Sequence, residues 1–171
     1  GPMKRCLETA QILYPGQTPI CIPEWTEMDF GAFEGHNYQE LSGDPNYQRW
    51  IDSGGTLPFP KGESREEFIR RSVAGYEKMI YHMKRIWERS AASRQRDRKI
   101  QNASAVVHGG TIMALLGHFL GGEYFDYQVK CGQGYSGRLA FKAGGGAPQW
   151  KEFRPLSEVT VSELTKGETN G

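Results

Sequence analysis

Three segments of this chain have residue patterns that are typical of helices, and one of them has a clear helical period of apolar residues. Residues 3–13 are good helix formers and precede a Pro-Gly pair, which predicts a first helix that ends there. In the second segment, apolar residues recur at steps of four and three from Ile69 to Trp87. Ser64 and Glu67 form a capping box in front of them. The spacing predicts a long amphipathic helix with one apolar stripe.

The third apolar segment follows a run of small and β-branched residues. Residues 103–107 predict a buried strand, and the helix behind them is expected to begin at Gly110 or Thr111. It should end at Leu120, because two glycines follow. His108 therefore lies where a strand is predicted to end and a helix to begin.

Shorter patterns predict the remaining elements, namely a strand within 18–25, a brief helix within 37–50, and a hairpin of 137–143 with 148–154. Strands that alternate with helices indicate an α/β layered domain, which we place at residues 1–157. Residues 158–171 have no apolar period, so we expect a flexible tail there.

The overall charge argues against two classes of partner. The 21 basic and 20 acidic residues leave a formal net charge of +1, so we expect neither nucleic acid nor a membrane surface as a partner. Residues 84–99 carry seven Lys or Arg against two acids. A solvated helix end explains this run, and an anion- or nucleic-acid-binding patch is the alternative.

Cysteine usage and hydropathy indicate the compartment. Cys6, Cys21 and Cys131 are widely spaced and contain no CxxC pair, which fits a reduced protein better than a disulfide framework or a zinc site. The longest apolar stretch is about a dozen residues, too short to span a bilayer, and no signal peptide is visible. We expect a soluble cytoplasmic protein without a metal site.

The junction at His108 is suited to an anion. Helix N-termini present unpaired N–H groups and a partial positive charge, and Gly109 and Gly110 would allow an anion close to the backbone. An imidazole beside that site would donate a hydrogen bond to a phosphoryl oxygen, more strongly when protonated. From this stretch alone, the alternative is a histidine that satisfies a local carbonyl at a strand end.

Four short motifs occur in one order, namely "MKRCLETA" at 3–10, "WTEMDFGAFEG" at 25–35, "PKGES" at 60–64 and "AVVHGG" at 105–110. Together they resemble the histidine phosphatase superfamily, in the branch that includes cofactor-dependent phosphoglycerate mutases and alpha-ribazole phosphatases. "CGQGYSGRLAFK" at 131–142 fits the closing strands of the same family. The resemblance implies a three-layer α/β domain whose central sheet is mostly parallel and flanked by helices. It implies no metal and no cofactor.

The resemblance also assigns roles to individual residues. Arg5 would bind phosphate, because its guanidinium fork matches two oxygens of the group. Glu27 would be the general acid that protonates the leaving oxygen, or the base that activates water. His108 would be the second histidine, which stabilises charge on the transferring phosphoryl group, and the Gly109 amide would add a donor. Without the family motif, the composition alone would predict that Arg5 is a solvent-facing helix residue and that Glu27 is a charged surface residue.

The chain departs from the family at its defining motif. The family carries Arg-His-Gly at the end of its first strand, where that histidine accepts the phosphoryl group, and this chain has no Arg-His-Gly. His36, His82 and His118 do not follow a strand in the required setting. We expect an N-terminally truncated form that lacks the first strand. A natural, nucleophile-free relative that binds a phosphate ligand is the second interpretation, and a structural or interaction module is the third.

The parent activity that the resemblance implies is phosphomonoester hydrolysis through a phosphohistidine, with a small phosphorylated substrate. A phosphoglycerate mutase-type phosphotransferase is the alternative, and "DFGAFEG" resembles the phosphatases more closely. As it stands, the chain is expected to bind phosphate or sulfate without turnover, because covalent transfer needs a nucleophile. An unpaired edge at 103–107 would also favour a homodimer. The sequence does not identify the substrate.

Overall fold

The structure, a computed structural model, describes residues 1–92, 102–141 and 148–159. They fall into two compact units. The first comprises Gly1–Ser93 with Ala103–Gln128 and contains the α-helices. The second comprises Arg94–Asn102 with Val129–Gly171 and contains a β-hairpin. The predicted tail lies outside the described residues from position 160 onward.

The described part of the first unit forms four α-helices, which are α1 (Lys4–Leu13), α2 (Pro45–Asp52), α3 (Arg65–Ala92) and α4 (Gly109–Leu120). The three helices predicted in segments 3–13, 64–87 and 110–120 are confirmed as α1, α3 and α4, with α4 beginning one residue before the earlier of its two expected starts. The brief helix expected within 37–50 is α2, which begins where the Asp44 carboxylate accepts hydrogen bonds from two amides of its first turn.

The capping box predicted for the long helix is present. The Ser64 hydroxyl accepts a hydrogen bond from the amide of Glu67 at 3.2 Å, and the Glu67 carboxylate accepts one from the amide of Ser64 at 2.8 Å. These two bonds satisfy donors that the first helical turn leaves without partners. They explain why α3 begins at Arg65.

In the first turns of α3, the buried stripe lies one residue before the predicted one. Phe68 and Ser72 are buried, whereas Ile69 and Val73 are only partly covered. Further along, Tyr76 of the predicted stripe is buried as expected. The apolar pattern could not find Ser72, because a polar side chain breaks the period. The side chain of Trp87, the last member of the predicted stripe, lies outside what the structure describes.

Two predicted strands do not form. The segment 18–25 ends in a 3₁₀ turn at Pro23–Trp25, and residues 103–107 belong to no sheet among the described residues. Residues 103–105 are exposed, so the predicted buried strand is absent from the structure of this chain by itself. A strand exists only when a neighbour accepts its backbone hydrogen bonds, and the described residues supply no such neighbour to either segment.

The closing hairpin is confirmed in the second unit. Strand β1 (Tyr135–Ala140) pairs antiparallel with β2 (Gln149–Pro155), and Leu139 lies opposite Trp150. The predicted turn between the strands, "AGGGAP" at 143–148, lies outside the described residues except for its last position. Since this pairing is a hairpin, the parallel arrangement expected for the central sheet stays a prediction.

Candidate anion site

Arg5, Glu27 and His108, which are far apart in the sequence, lie together in the first unit. The Arg5 guanidinium forms an ion pair with Oε2 of Glu27. The other carboxylate oxygen, Oε1, lies 3.8 Å from Nδ1 of His108. Glu27 is therefore placed between a permanent positive charge and an imidazole. The structure brings these candidate residues together, and their catalytic roles stay predictions.

The imidazole of His108 is buried and is contacted on both of its nitrogens. The residue is 8% exposed, and its Nε2 lies 3.4 Å from the Cys6 thiol of α1. Burial lowers the pKa of His108 from its usual 6.5, and the positive charges of Arg5 and of the amino terminus lower it further. The Glu27 carboxylate opposes this shift in the pKa. The lowered pKa favours the neutral form of His108 near pH 7.

The first turn of α4 faces open space at Gly109. His108 is the N-cap residue of this helix, and its side chain makes no capping hydrogen bond. A Cβ atom placed on Gly109 would meet nothing within 4 Å. The amides of the first turn have no helical acceptor, so they attract an anion. Gly109 is therefore accessible, and its role as an additional donor stays a prediction.

The loop that carries Glu27 is anchored to α3. Trp25 is 4% exposed, and its indole N–H donates to the carbonyl of Ser72 at 3.0 Å. The guanidinium of Arg71 donates to the carbonyls of Glu24 and Thr26 at 2.7 Å each, and to the carbonyl of Glu27 at 2.9 Å. The main chain on both sides of the Glu27 carboxylate is therefore held by one helix.

The motifs at 25–35 and 60–64, which are separate in the sequence, pack directly against each other. Gly31 has a φ of +54°, and a Cβ there would lie 2.3 Å from the carbonyl oxygen of Pro60. Only glycine allows this close approach of 25–35 to 60–64. The Glu63 carboxylate joins the same two segments, because its Oε1 accepts a hydrogen bond from the amide of Asp29 at 2.9 Å.

Sequence reasoning missed Arg71. The residue lies in the second turn of α3, eight positions after Glu63, which precedes the helix. That spacing was the available signal, but several other charged residues of the same helix are exposed and have similar spacings. Only the tertiary structure shows which arginine faces the Glu27 loop.

The other three histidines lie elsewhere. Nδ1 of His36 is 3.7 Å from the carboxylate of Glu40, and both side chains are exposed. His82 lies on α3 beside Tyr81, and His118 lies in the last turn of α4. The structure therefore places one histidine of the four in the candidate site.

Within the described ranges, no three His, Cys, Asp or Glu side chains come together as metal ligands. The candidate site offers one imidazole, one thiol and one carboxylate, and the carboxylate is already paired with Arg5. In the same part of the chain, no helix combines the length and apolar character needed to cross a membrane.

A family model confirms the resemblance that the four motifs indicated. The model of the histidine phosphatase superfamily, branch 1, matches residues 1–150. The chain belongs to this superfamily. No curated protein matches the chain.

Two solved structures of histidine phosphatases resemble the chain. A candidate alpha-ribazole-5'-P phosphatase from Escherichia coli is 23% identical with a TM-score of 0.54, over 75% of this chain and 60% of that one. The alpha-ribazole phosphatase from Shigella flexneri is 22% identical with a TM-score of 0.58, over 88% of this chain and 69% of that one. At this identity the likeness shows the α/β fold. The chain spans about three fifths to two thirds of the length of these relatives.

Proposed function

We propose that this chain forms most of the active site of a phosphomonoester hydrolase. The phosphoryl oxygens bind between the Arg5 guanidinium, the His108 imidazole and the Gly109 amide, and Glu27 exchanges protons with the leaving oxygen and with water. The convergence of Arg5, Glu27 and His108 beside the open first turn of α4 carries this proposal. Membership of a phosphatase superfamily supports it.

The reaction needs a nucleophile, which we assign to a histidine of an Arg-His-Gly segment that is not among these 171 residues. In the first step, its imidazole nitrogen bonds to phosphorus while the bond from phosphorus to the alcohol oxygen breaks. Glu27, as the acid, gives its proton to that oxygen. In the second step, Glu27 takes a proton from water, whose oxygen bonds to phosphorus as the P–N bond breaks. Arg5 and His108 stabilise the charge on the phosphoryl oxygens throughout.

Anion binding without turnover is the second candidate function. The observation that favours it is that His108 is the chain's one histidine in the cluster, so the described site has no second imidazole to accept a phosphoryl group. This function uses the same residues but requires no chemistry of Glu27. A phosphotransferase of the mutase type would require the nucleophile as well.

Sulfate binding tests the site on the chain as it is. Arg5→Ala should weaken sulfate binding about tenfold to a hundredfold, because charge-assisted hydrogen bonds to an anion contribute about 1.5–3 kcal/mol. Lys4→Ala is the matched control, since Lys4 is the preceding residue and pairs with Glu8 at the surface. Calorimetric titration measures both variants. Equal sulfate affinity in Arg5→Ala and in the unaltered chain would remove Arg5 from the site.

Turnover of p-nitrophenyl phosphate tests the catalytic part. The chain alone should match the buffer control, and the chain extended by the coding sequence that precedes it should hydrolyse the ester. In the extended protein, Glu27→Gln should lower kcat about a hundredfold or more, the effect of a lost general acid. Rapid turnover by the 171-residue chain would show that the nucleophile is misassigned.

The substrate is proposed only as a class, a small phosphomonoester. The two structural neighbours carry the name alpha-ribazole phosphatase, so alpha-ribazole 5'-phosphate is the first ester to assay. Sugar phosphates, phosphoglycerate and nucleotides complete the panel. A kcat/KM for one ester far above the others would name the substrate.

We also propose that the complete domain has the three-layer arrangement with a mostly parallel central sheet, in which residues 103–107 pair with a further strand. Their exposure and lack of sheet partners within the described part of the chain support this. The isolated chain is then expected to associate as a homodimer through this edge. Sedimentation at micromolar concentration tests it, and a well-folded monomer would count against it.

A further inference from the structure

Arg71 of α3 uses every N–H group of its guanidinium. Its Nε and one terminal nitrogen donate to the two oxygens of Glu63, at 2.9 and 2.5 Å. The remaining three N–H groups donate to carbonyl oxygens of Glu24, Thr26 and Glu27. A guanidinium has five N–H groups in a fixed plane, and here each has an acceptor.

This environment fixes the position of the guanidinium. The Arg71 side chain is 27% exposed and that of Glu63 is 14% exposed. The guanidinium carbon also lies 4.7 Å from the centre of the Phe68 ring, and Phe68 is fully buried. Since α3 is a long helix packed against α4, Arg71 connects the Glu27 loop to the helix that carries His108.

Arg5 and Arg71 hold Glu27 in different ways. Arg5 binds the carboxylate, and a phosphoryl group at the proposed site would compete with Glu27 for the same guanidinium. Arg71 binds the main-chain carbonyl of Glu27, which no bound anion would displace. The hold by Arg71 therefore persists when substrate is present.

We propose that Arg71 is a positioning residue that keeps the Glu27 carboxylate beside His108 and the bound phosphoryl group. This inference rests on the proposed function of Glu27, and it assigns to α3 a part in the chemistry that the sequence did not indicate. Lysine cannot replace Arg71, because an ammonium group has three donors at a single nitrogen and cannot reach five acceptors.

The imidazole of His108 reports on the position of Glu27. The groups that face it are the Glu27 carboxylate, the Arg5 guanidinium, the amino terminus and the Cys6 thiol. The Glu27 carboxylate raises the pKa of His108, so moving this carboxylate away lowers that pKa. General loosening of the fold would have the opposite effect, because lost burial returns the pKa upward to its usual value.

The experiment is an NMR titration of His108 in the unaltered chain, Arg71→Lys, Glu27→Gln and the double variant. Arg71→Lys keeps the charge and should lower the pKa of His108 toward its value in Glu27→Gln. The double variant should match Glu27→Gln alone, because Arg71 acts through Glu27. Arg70→Lys is the matched control, since Arg70 is the neighbouring exposed arginine and pairs with Glu66.

An unchanged or raised pKa of His108 in folded Arg71→Lys would overturn the proposal, as would a double variant whose effects add. If Arg71→Lys does not fold, Glu63→Gln serves instead. It weakens the two hydrogen bonds that hold the Arg71 guanidinium at Glu63, so it should also lower the pKa of His108. Sulfate titration separates this inference from the proposed function. If Arg71→Lys lowers the pKa of His108 but the unaltered chain does not bind sulfate, the positioning role of Arg71 is kept and the phosphate site is rejected.

Discussion

The candidate site joins two regions of the first unit that are held very differently. The Glu27 loop is anchored by Trp25, by Gly31 and by the three hydrogen bonds that Arg71 donates to its carbonyl oxygens. Helix α1, which carries Arg5, buries Cys6 but leaves its C-terminal half in solvent, with Ile12 79% exposed. The residue proposed to exchange protons is thus on a fixed loop, and the arginine proposed to bind phosphate is on a lightly packed helix.

This difference indicates where the site is preorganised. A general acid must be held within a narrow distance of the atom it protonates, which requires a rigid support. A long arginine side chain with a planar fork tolerates more movement of its backbone. We therefore expect mutations in the loop to lower stability, and mutations on the outer face of α1 to have little effect.

The largest expected effect comes from Trp25→Ala. Removing this buried indole should lower the free energy of unfolding by about 3–5 kcal/mol, because a large core side chain is replaced by a cavity. The indole N–H bond to Ser72 is lost as well. Denaturant unfolding measures the change. A loss below about 1 kcal/mol would show that the loop is not fixed by its core contact.

Gly31→Ala should have the next largest effect. The added Cβ would lie 2.3 Å from the Pro60 carbonyl oxygen at a φ of +54°, so the two motif loops must separate. Gly35→Ala is the control, because Gly35 also has a positive φ of +75° but nothing within 4 Å of the new Cβ. Gly31→Ala should destabilise by about 1–3 kcal/mol more than Gly35→Ala. Equal losses would mean that the close approach is not required.

The effect of pH on sulfate binding should be smaller than these two stability effects, a change in affinity of about tenfold or less. Burial holds the pKa of His108 below 6.5 in the free protein, and a bound anion should raise that pKa. Sulfate affinity should therefore rise as the pH falls from about 8 to about 5.5, while sulfate itself keeps its charge. His108→Gln should remove most of this dependence. A flat profile in the unaltered chain would place His108 outside the site.

The same pKa shift makes a statement about stability. Since the pKa of folded His108 lies below its unfolded value of 6.5, the unfolded chain binds more protons in acid. Neutral His108 therefore contributes to the free energy of unfolding above pH 6.5, and this contribution is lost as the pH falls through and below that value. The pH-dependent loss of unfolding free energy in this window should be smaller in His108→Gln.

The smallest effect should come from Ile12→Ala on α1. Ile12 is 79% exposed, so its replacement should change the free energy of unfolding by less than about 0.5 kcal/mol and leave sulfate affinity unchanged. Denaturant unfolding and calorimetry check both expectations. A loss of several kcal/mol would show that α1 is packed through this face in solution and would remove the contrast with the Glu27 loop.

Local chemistry made the helices and the family predictable. Three short-range signals defined the helices, namely the period of apolar residues, the capping box of Ser64 and the glycines after Leu120. Each signal acts within a few residues of the element that it defines. The ordered motifs identified the family, and they indicated Arg5, Glu27 and His108 as candidate site residues. The closing hairpin was also predictable from the sequence, because its two strands are close to each other along the chain.

Only the tertiary structure decided what these elements contact. Residues 103–107 have the composition of a strand, but a strand depends on hydrogen-bond partners elsewhere in the chain, and the described residues provide none. The burial of Ser72 and the five acceptors of Arg71 depend on segments up to 47 residues away. Periodicity carries no information on contacts at that distance, so the residue that fixes Glu27 could not be found from the sequence pattern.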